Sequence, residues 1–464
     1  MSGIIRIGRG IAVLVLLAGA ACSPGDLLDV DNPDIIDPTQ VSSPQGLAAL
    51  HAGALGDFSM AVVGNNGGTE GQILVSGSFT DELGNSETFP TRKEYDQRGP
   101  IDLKNGTLLA VFRNLHQARR SAERAAAALK EFSATPATDT RIAETYSLAG
   151  YTYIAMGENY CSGVPVSEAE IDGSLTFGDP LSTADLFTRA IERFDSALAY
   201  PASSTVTSLA KIGKARAQLN LGQQAAAAAT VAGIATTFSY NLTHTIALGR
   251  QQNGMFVFIN QNERFSVANV DGGNGLNFRA ANDPRVPWAR IPANDVGFDN
   301  ATPQYDQGKY ASETAVTPIA TGVEARLIEA EASLKAGTAD WLTILNTLRA
   351  TSGLTPTVFP ASFPAAFPAL GQLTDPGTQA GREDLLFRER AFWMYLSGHR
   401  LGDLRRLVRQ YGRSANAVFP GGGGAQYVID GNPKGGVFGS EVNLPVPFDE
   451  INNPNFTQCI NRDP

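Results

Sequence analysis

From about residue 102 to 236, apolar positions recur at intervals of three and four, which is the signature of a helix burying one face. Leu108, Val111, Phe112, Leu115, Ala118 and Ala122 fall on one such face. The run continues through SAERAAAALKEF, where alanine favours helix. Further helices are expected over 139–156, 183–200, 205–221 and 223–236, and one starting near Pro44. Three helices, one of them near residue 330, share a pattern in which a small residue stands seven positions before a glycine: Gly150 with Gly157, Ala215 with Gly222, Ala330 with Gly337. A helix, a tight glycine turn and an antiparallel helix, with small residues where the backbones approach, is the tetratricopeptide plan. Unrelated hairpins ending in glycine are the alternative. The units are not spaced at the ~34 residues of a tandem array, so they read as helix pairs separated by insertions.

The insertions have a different texture. Over about 60–100, 237–320 and 351–381 the helical period breaks down. The run 255–259 is strand-like, 271–275 reads as a loop, and Phe359-Pro360, Phe363-Pro364 and Phe367-Pro368 exclude helix. A last helical block is expected over 382–410, apolar all round from Ala391 to Leu396 and therefore central. Charges at its ends, Glu389, Arg390, Arg400 and Asp403, read as structural ion pairs. Gly421–Gly424 reads as a flexible loop, opening a tail over 411–464. The expected fold is mostly α: tetratricopeptide-like helix pairs about 102–236 and 321–410 in one large domain, with irregular loop-rich insertions.

Composition narrows the function. Among 464 residues, 36 basic against 46 acidic side chains give a net charge of −10, which argues against a nucleic-acid grip. Three cysteines form no CxxC pair, and His51, His116, His244 and His399 form no HExxH, so neither a metal nor a cofactor is expected. There is no GxSxG elbow and no phosphate loop; Gly421–Gly424 leads into QYVID and not into a helix. An enzyme is not expected.

The first 21 residues read as an export signal: Arg6 and Arg9, an apolar stretch over 11–18, then Gly19-Ala20-Ala21 before Cys22. Cys22 stands where a bacterial lipoprotein signal carries its lipid-modified cysteine, although Gly19 replaces the usual Leu; an ordinary signal peptide cut nearby is the alternative. Nothing after the leader is expected to approach membrane-spanning length. Residues 27–40, LLDVDNPDIIDPTQ, read as a tether with anchoring apolar residues. Cys161 and Cys459 remain as an even pair in an oxidising compartment. They are expected to form a disulfide tying the tail to the middle of the fold, with two buried free thiols as the alternative.

The block RERAFWMYLSGHRLGDLRR over 388–406 resembles the C-terminal signature of SusD/RagB-like outer-membrane nutrient-binding lipoproteins. The shared elements are Glu389-Arg390, Gly398-His399-Arg400 and Asp403-Leu404-Arg405-Arg406, with Ser397 in place of the usual acidic residue. NLPVPFDEINNPNFTQ over 443–458 resembles the family's closing motif, LLDVDNP its start, and Asp283-Pro284-Arg285 a triplet of its variable region. The resemblance spans the chain after the leader. It implies a lipid-anchored protein at the outer membrane, facing the exterior and partnered by a SusC-like TonB-dependent transporter. The implied ligand is an oligosaccharide or peptide held on a face built from the insertions. That points to Phe89, Tyr95 and Arg98 in the first insertion, and to Trp288 and Tyr305 in the second. A periplasmic tetratricopeptide-like scaffold is the alternative; it leaves the large insertions without a role.

Overall fold

The computed structural model describes residues 42–169, 174–290, 292, 294–354 and 369–464. The leader, the lipidation candidate Cys22, the tether and the Phe-Pro repeats lie outside the described residues.

Eight helices form a packed row. Helix α1 is Pro44–Val63; after the short α2 (Gln72–Phe79) and α3 (Pro90–Asp96) come α4 (Gly106–Phe132), α5 (Thr140–Asn159), α6 (Thr183–Leu198), α7 (Ser204–Asn220) and α8 (Gln224–Val231). The row ends with α9 (Gly322–Lys335) and α10 (Asp340–Ala350). Five of these starts have a local cause: Ser43, Asn105, Asp139 and Ser203 accept a backbone N–H as N-caps, and Ser182 with Asp185 forms a capping box. On α4 the buried face includes Leu108, Val111, Phe112, Leu115, Ala118 and Ala122, as the periodicity requires. Neighbours pack in the order α1, α4, α5, α6, α7, α8, α9, α10. The second insertion therefore does not interrupt the row, because α8 lies directly against α9. Its base is closed by Ser239–Leu242 pairing antiparallel with Thr317–Thr321. The protein is mostly helical, in tetratricopeptide-like pairs.

Several expectations change. By length and mean hydropathy (1.4), α1 alone among the described helices could cross a membrane, contrary to the reading that nothing after the leader comes close. It buries Leu47, Ala54, Phe58 and Ala61, and packs on α4. The α8 helix stops at Val231, short of 236. The run 255–259 is helical, because the Asn253 side chain accepts the N–H groups of Met255 and Phe256 and starts a turn. A short apolar run does not by itself tell strand from buried helix. Gly157 ends no hairpin; it lies within α5, opposite the Phe187 ring. Gly421 and Gly422 are packing positions, since a Cβ would lie 2.2 Å from Phe438 and 1.7 Å from the Asn416 carbonyl.

The block 382–410 is two helices, α11 (Gln379–Trp393) and α12 (Arg400–Tyr411). Between them Leu396 (φ 46°) and Gly398 (φ 72°) turn the chain back. The turn is held by the carboxylate of buried Glu82, which accepts the Leu396 N–H at 2.8 Å, and by the Tyr310 hydroxyl, which donates to the Leu396 carbonyl at 2.7 Å. Ala391 and Phe392 are buried with Tyr395 and Leu396, so the segment is central as expected. Asp403 accepts from Arg390 at 3.0 Å and from Arg406 at 2.7 Å. Arg406 also pairs with Glu331 on α9, and Glu389 pairs with Arg285 at 2.6 Å. Arg400 finds its acid in the first insertion, at Asp81 (2.6 and 2.7 Å). Cys161 and Cys459 are disulfide-bonded across 298 residues of sequence.

Candidate ligand-binding face

The two insertions meet in a short antiparallel pairing of Leu83–Asn85 with Phe265–Val267. The hairpin made by Gln426–Ile429 and Asn432–Val437 leans on the same place, with Ile429 against Gly84. A loop over 295–304 covers the edge: the Phe298 N–H donates to the Glu263 carbonyl at 2.9 Å, and the Asp299 N–H to the Ser86 carbonyl at 3.1 Å. Lys434 of the hairpin pairs with Asp299, and Asn432 donates to Thr302 at 2.8 Å. Segments some 350 residues apart in sequence thus form one surface.

At its centre, phenyl rings and guanidinium groups alternate. The Arg264 guanidinium lies 4.1 Å from the Phe298 ring centre and 5.2 Å from that of Phe89. Arg92 lies 4.9 Å from Phe89 and 5.4 Å from Phe258. All four separations fall within cation–π range. One carboxylate fixes both cations: buried Glu87 accepts from Arg92 at 2.8 Å and also pairs with Arg264. Glu70 holds Arg92 from another side; burial raises its pKa against the opposing pull of Arg92. The stack is buried at Phe258 and open at the other end, where Phe89 and Phe298 are 48% and 45% exposed. Two rings flanked by a shared guanidinium and left open to water form a candidate contact surface.

Phe89, named from the sequence, is thus part of the stack. Trp288 and Tyr305 form a second, half-buried pair, 5.6 Å apart and nearly perpendicular. Arg279 covers Tyr305 at 3.5 Å, and the Trp288 indole donates to the Arg279 carbonyl. Tyr95 and Arg98 do not line the face. Tyr95 is fully buried, and Arg98 is 2% exposed, donating to the carbonyls of Pro420, Gly439 and Glu441. Burial lowers the Arg98 pKa to about 10. Arg98 anchors the 420–441 segment from inside and Tyr95 belongs to the buried core, so both have a framework role and not a contact role.

Phe298, Arg264 and three carboxylates were not picked out from the sequence. Glu263, whose carbonyl accepts the Phe298 N–H, stands near Asp295 and Asp306, each half-buried. Burial, with Asp295 and Glu263 nearby, pushes Asp306 up to about 7 even though Gln304 donates to it at 3.2 Å. Glu263 is raised by burial and by Asp295. Its backbone sits at φ 52°, a left-handed conformation that a non-glycine residue adopts at a strain of about 1–3 kcal/mol. The face offers hydrogen-bond acceptors beside an aromatic platform. Among the described residues, no group of three or more His, Cys, Asp or Glu is arranged to hold a metal ion.

No protein-family model and no curated protein matches the chain. Solved structures do. A laminarin-binding SusD-like protein superposes with a TM-score of 0.64 at 16% identity, covering 90% of this chain and 99% of its own. A SusD-like carbohydrate-binding protein from Bacteroides vulgatus gives 0.55 at 13% identity, covering 77% and 83%. A SusD-like protein from Bacteroides fragilis gives 0.60 at 12%, covering 92% and 98%. The fold is SusD-like. At these identities the likeness speaks for architecture, and the SusD-like frame accounts for both the helix row and the insertions that stand on it.

Proposed function

We propose that this chain is a nutrient-binding protein of the SusD type that takes an oligosaccharide on the Phe89–Phe298 face. The observation that carries the reading is the open stack of Phe298, Arg264 and Phe89 on the loop side of a SusD-like fold. Sugar rings present C–H faces that pack on aromatic rings, and their hydroxyls donate to carboxylates at the rim. Neighbours described as carbohydrate-binding and laminarin-binding support the choice of oligosaccharide over peptide. In this reading Cys22 carries the lipid that anchors the protein at the outer membrane, and a SusC-like TonB-dependent transporter receives the ligand. No chemical step is assigned to the protein.

Titration calorimetry of the chain from residue 23 with candidate oligosaccharides tests the reading, alongside the double variant Phe89→Ala/Phe298→Ala. Loss of two stacking faces should weaken binding by about tenfold or more, at roughly 1 kcal/mol or above per ring. An unchanged affinity would remove the stack from the binding site. Affinity purification of the full lipoprotein from native membranes tests the partner. Recovery without a barrel protein would favour a scaffold role.

A further inference from the structure

The charges around the stack are unequally matched. Every cation near it already has an acceptor: Arg92 pairs with Glu70 and Glu87, and Arg264 with Glu87. Arg279 pairs with Asp430 and Lys434 with Asp299. Arg290 donates through two nitrogens to the Asp295 carbonyl, at 3.1 and 2.8 Å. Lys93 donates to the Lys434 carbonyl. The carboxylates of Glu263, Asp295 and Asp306, in contrast, have no ion pair among the described residues, and none of the three is fully buried. They lie near one another: Asp295 and Glu263 both bear on the Asp306 carboxyl, Gln304 bonds that carboxyl and the Asp295 main-chain carbonyl, and the Glu263 carbonyl holds the Phe298 N–H. An anion seated on the platform would face the Glu263 and Asp295 carboxylates, joined by Asp306 above about pH 7, against a single guanidinium without a carboxylate partner among the described residues, that of Arg290.

Resting on the oligosaccharide reading above, we infer that this face takes uncharged glycans and excludes those bearing uronate or sulfate groups. A hydroxyl donates to a carboxylate without adding charge, whereas a uronate or sulfate only accepts and is repelled. The repulsion acts at short range in a half-buried site, so salt reduces it without abolishing it.

The test is an array of neutral, uronate-bearing and sulfated oligosaccharides probed with the chain from residue 23, followed by calorimetry on the hits. Neutral glycans should bind, with uronate or sulfate analogues of the same backbone at least roughly tenfold weaker at low ionic strength. In the double variant Glu263→Gln/Asp295→Asn, the ratio of neutral to anionic affinity should fall severalfold. An anionic glycan bound as tightly as its neutral counterpart, or an unchanged ratio in the variant, overturns the inference while leaving the glycan reading intact. An array with no bound glycan of any kind overturns the glycan reading itself, and the inference with it.

Discussion

Asp306 shows how a single carboxyl at the candidate face makes stability depend on pH. Its folded pKa is pushed up to about 7 by burial first, then by Asp295 and Glu263, against about 3.9 in an unfolded chain. Below about pH 4 both states hold the proton. As pH rises toward 7, the unfolded chain releases it and the folded one keeps it, so stability falls across that window and levels off above it. Asp306→Asn removes the titration. The melting temperature of the variant relative to the parent should therefore climb from pH 4 to pH 7 and then stay flat. A difference independent of pH, read by scanning calorimetry, would show that Asp306 does not carry this proton. Asp403 illustrates the opposite balance. Burial alone would raise its pKa, but Arg390 and Arg406 outweigh burial and hold it below its ordinary value. One carboxyl is fixed by two guanidinium groups, and the other has an amide donor and no ion pair among the described residues.

At the scale of elements, small residues do a different job from the one their spacing suggests. The pattern of Gly150 and Gly157 predicts backbones in close approach, but what fills the space is aromatic. A Cβ on Gly150 would lie 2.6 Å from the Phe194 ring, and one on Gly213 of α7 would lie 2.2 Å from the same ring. Phe194 of α6 therefore docks between α5 and α7, and two glycines make room for it. Gly222 is a true turn glycine, at φ 75° with nothing within 4 Å of its missing Cβ. The two kinds separate experimentally. Gly213→Ala should lose about 1–3 kcal/mol by overpacking, and Phe194→Leu in the same chain should recover part of that loss. Gly222→Ala should lose about 1 kcal/mol or more through backbone strain, and Phe194→Leu should not rescue it. Equal rescue in urea melts would mean that Phe194 is not the obstacle.

Across the whole molecule, the helix row was legible because a 3.6-residue period repeats many times along α4 to α10, and the terminal block because its charges sit in a recognisable order. The candidate face was not. Its pairing of Leu83 with Val267 joins strands three residues long, which leave no period to read. Phe298 stands alone among Gly297, Asp299 and Asn300, and nothing local shows that Arg264 lies against it. Tyr95 and Arg98 looked like contact residues because an aromatic and a cation in a loop carry no sign of their depth. The tail could be placed by chemistry more than by pattern. The Cys161 N–H donates to Leu444, the Leu444 N–H to Asn159 and the Ile460 N–H to Ser162, and the disulfide fastens the same strip. Closing a loop of 298 residues restricts the unfolded chain far more than the folded one. Cys161→Ser/Cys459→Ser should lower unfolding stability by ~2–5 kcal/mol, seen as an earlier urea midpoint. Oligosaccharide affinity should stay within about twofold, since neither cysteine touches the Phe89–Phe298 stack and the three hydrogen bonds still hold the tail. A midpoint that does not move would mean that the tail's own packing, and not the bond, secures the end of the fold.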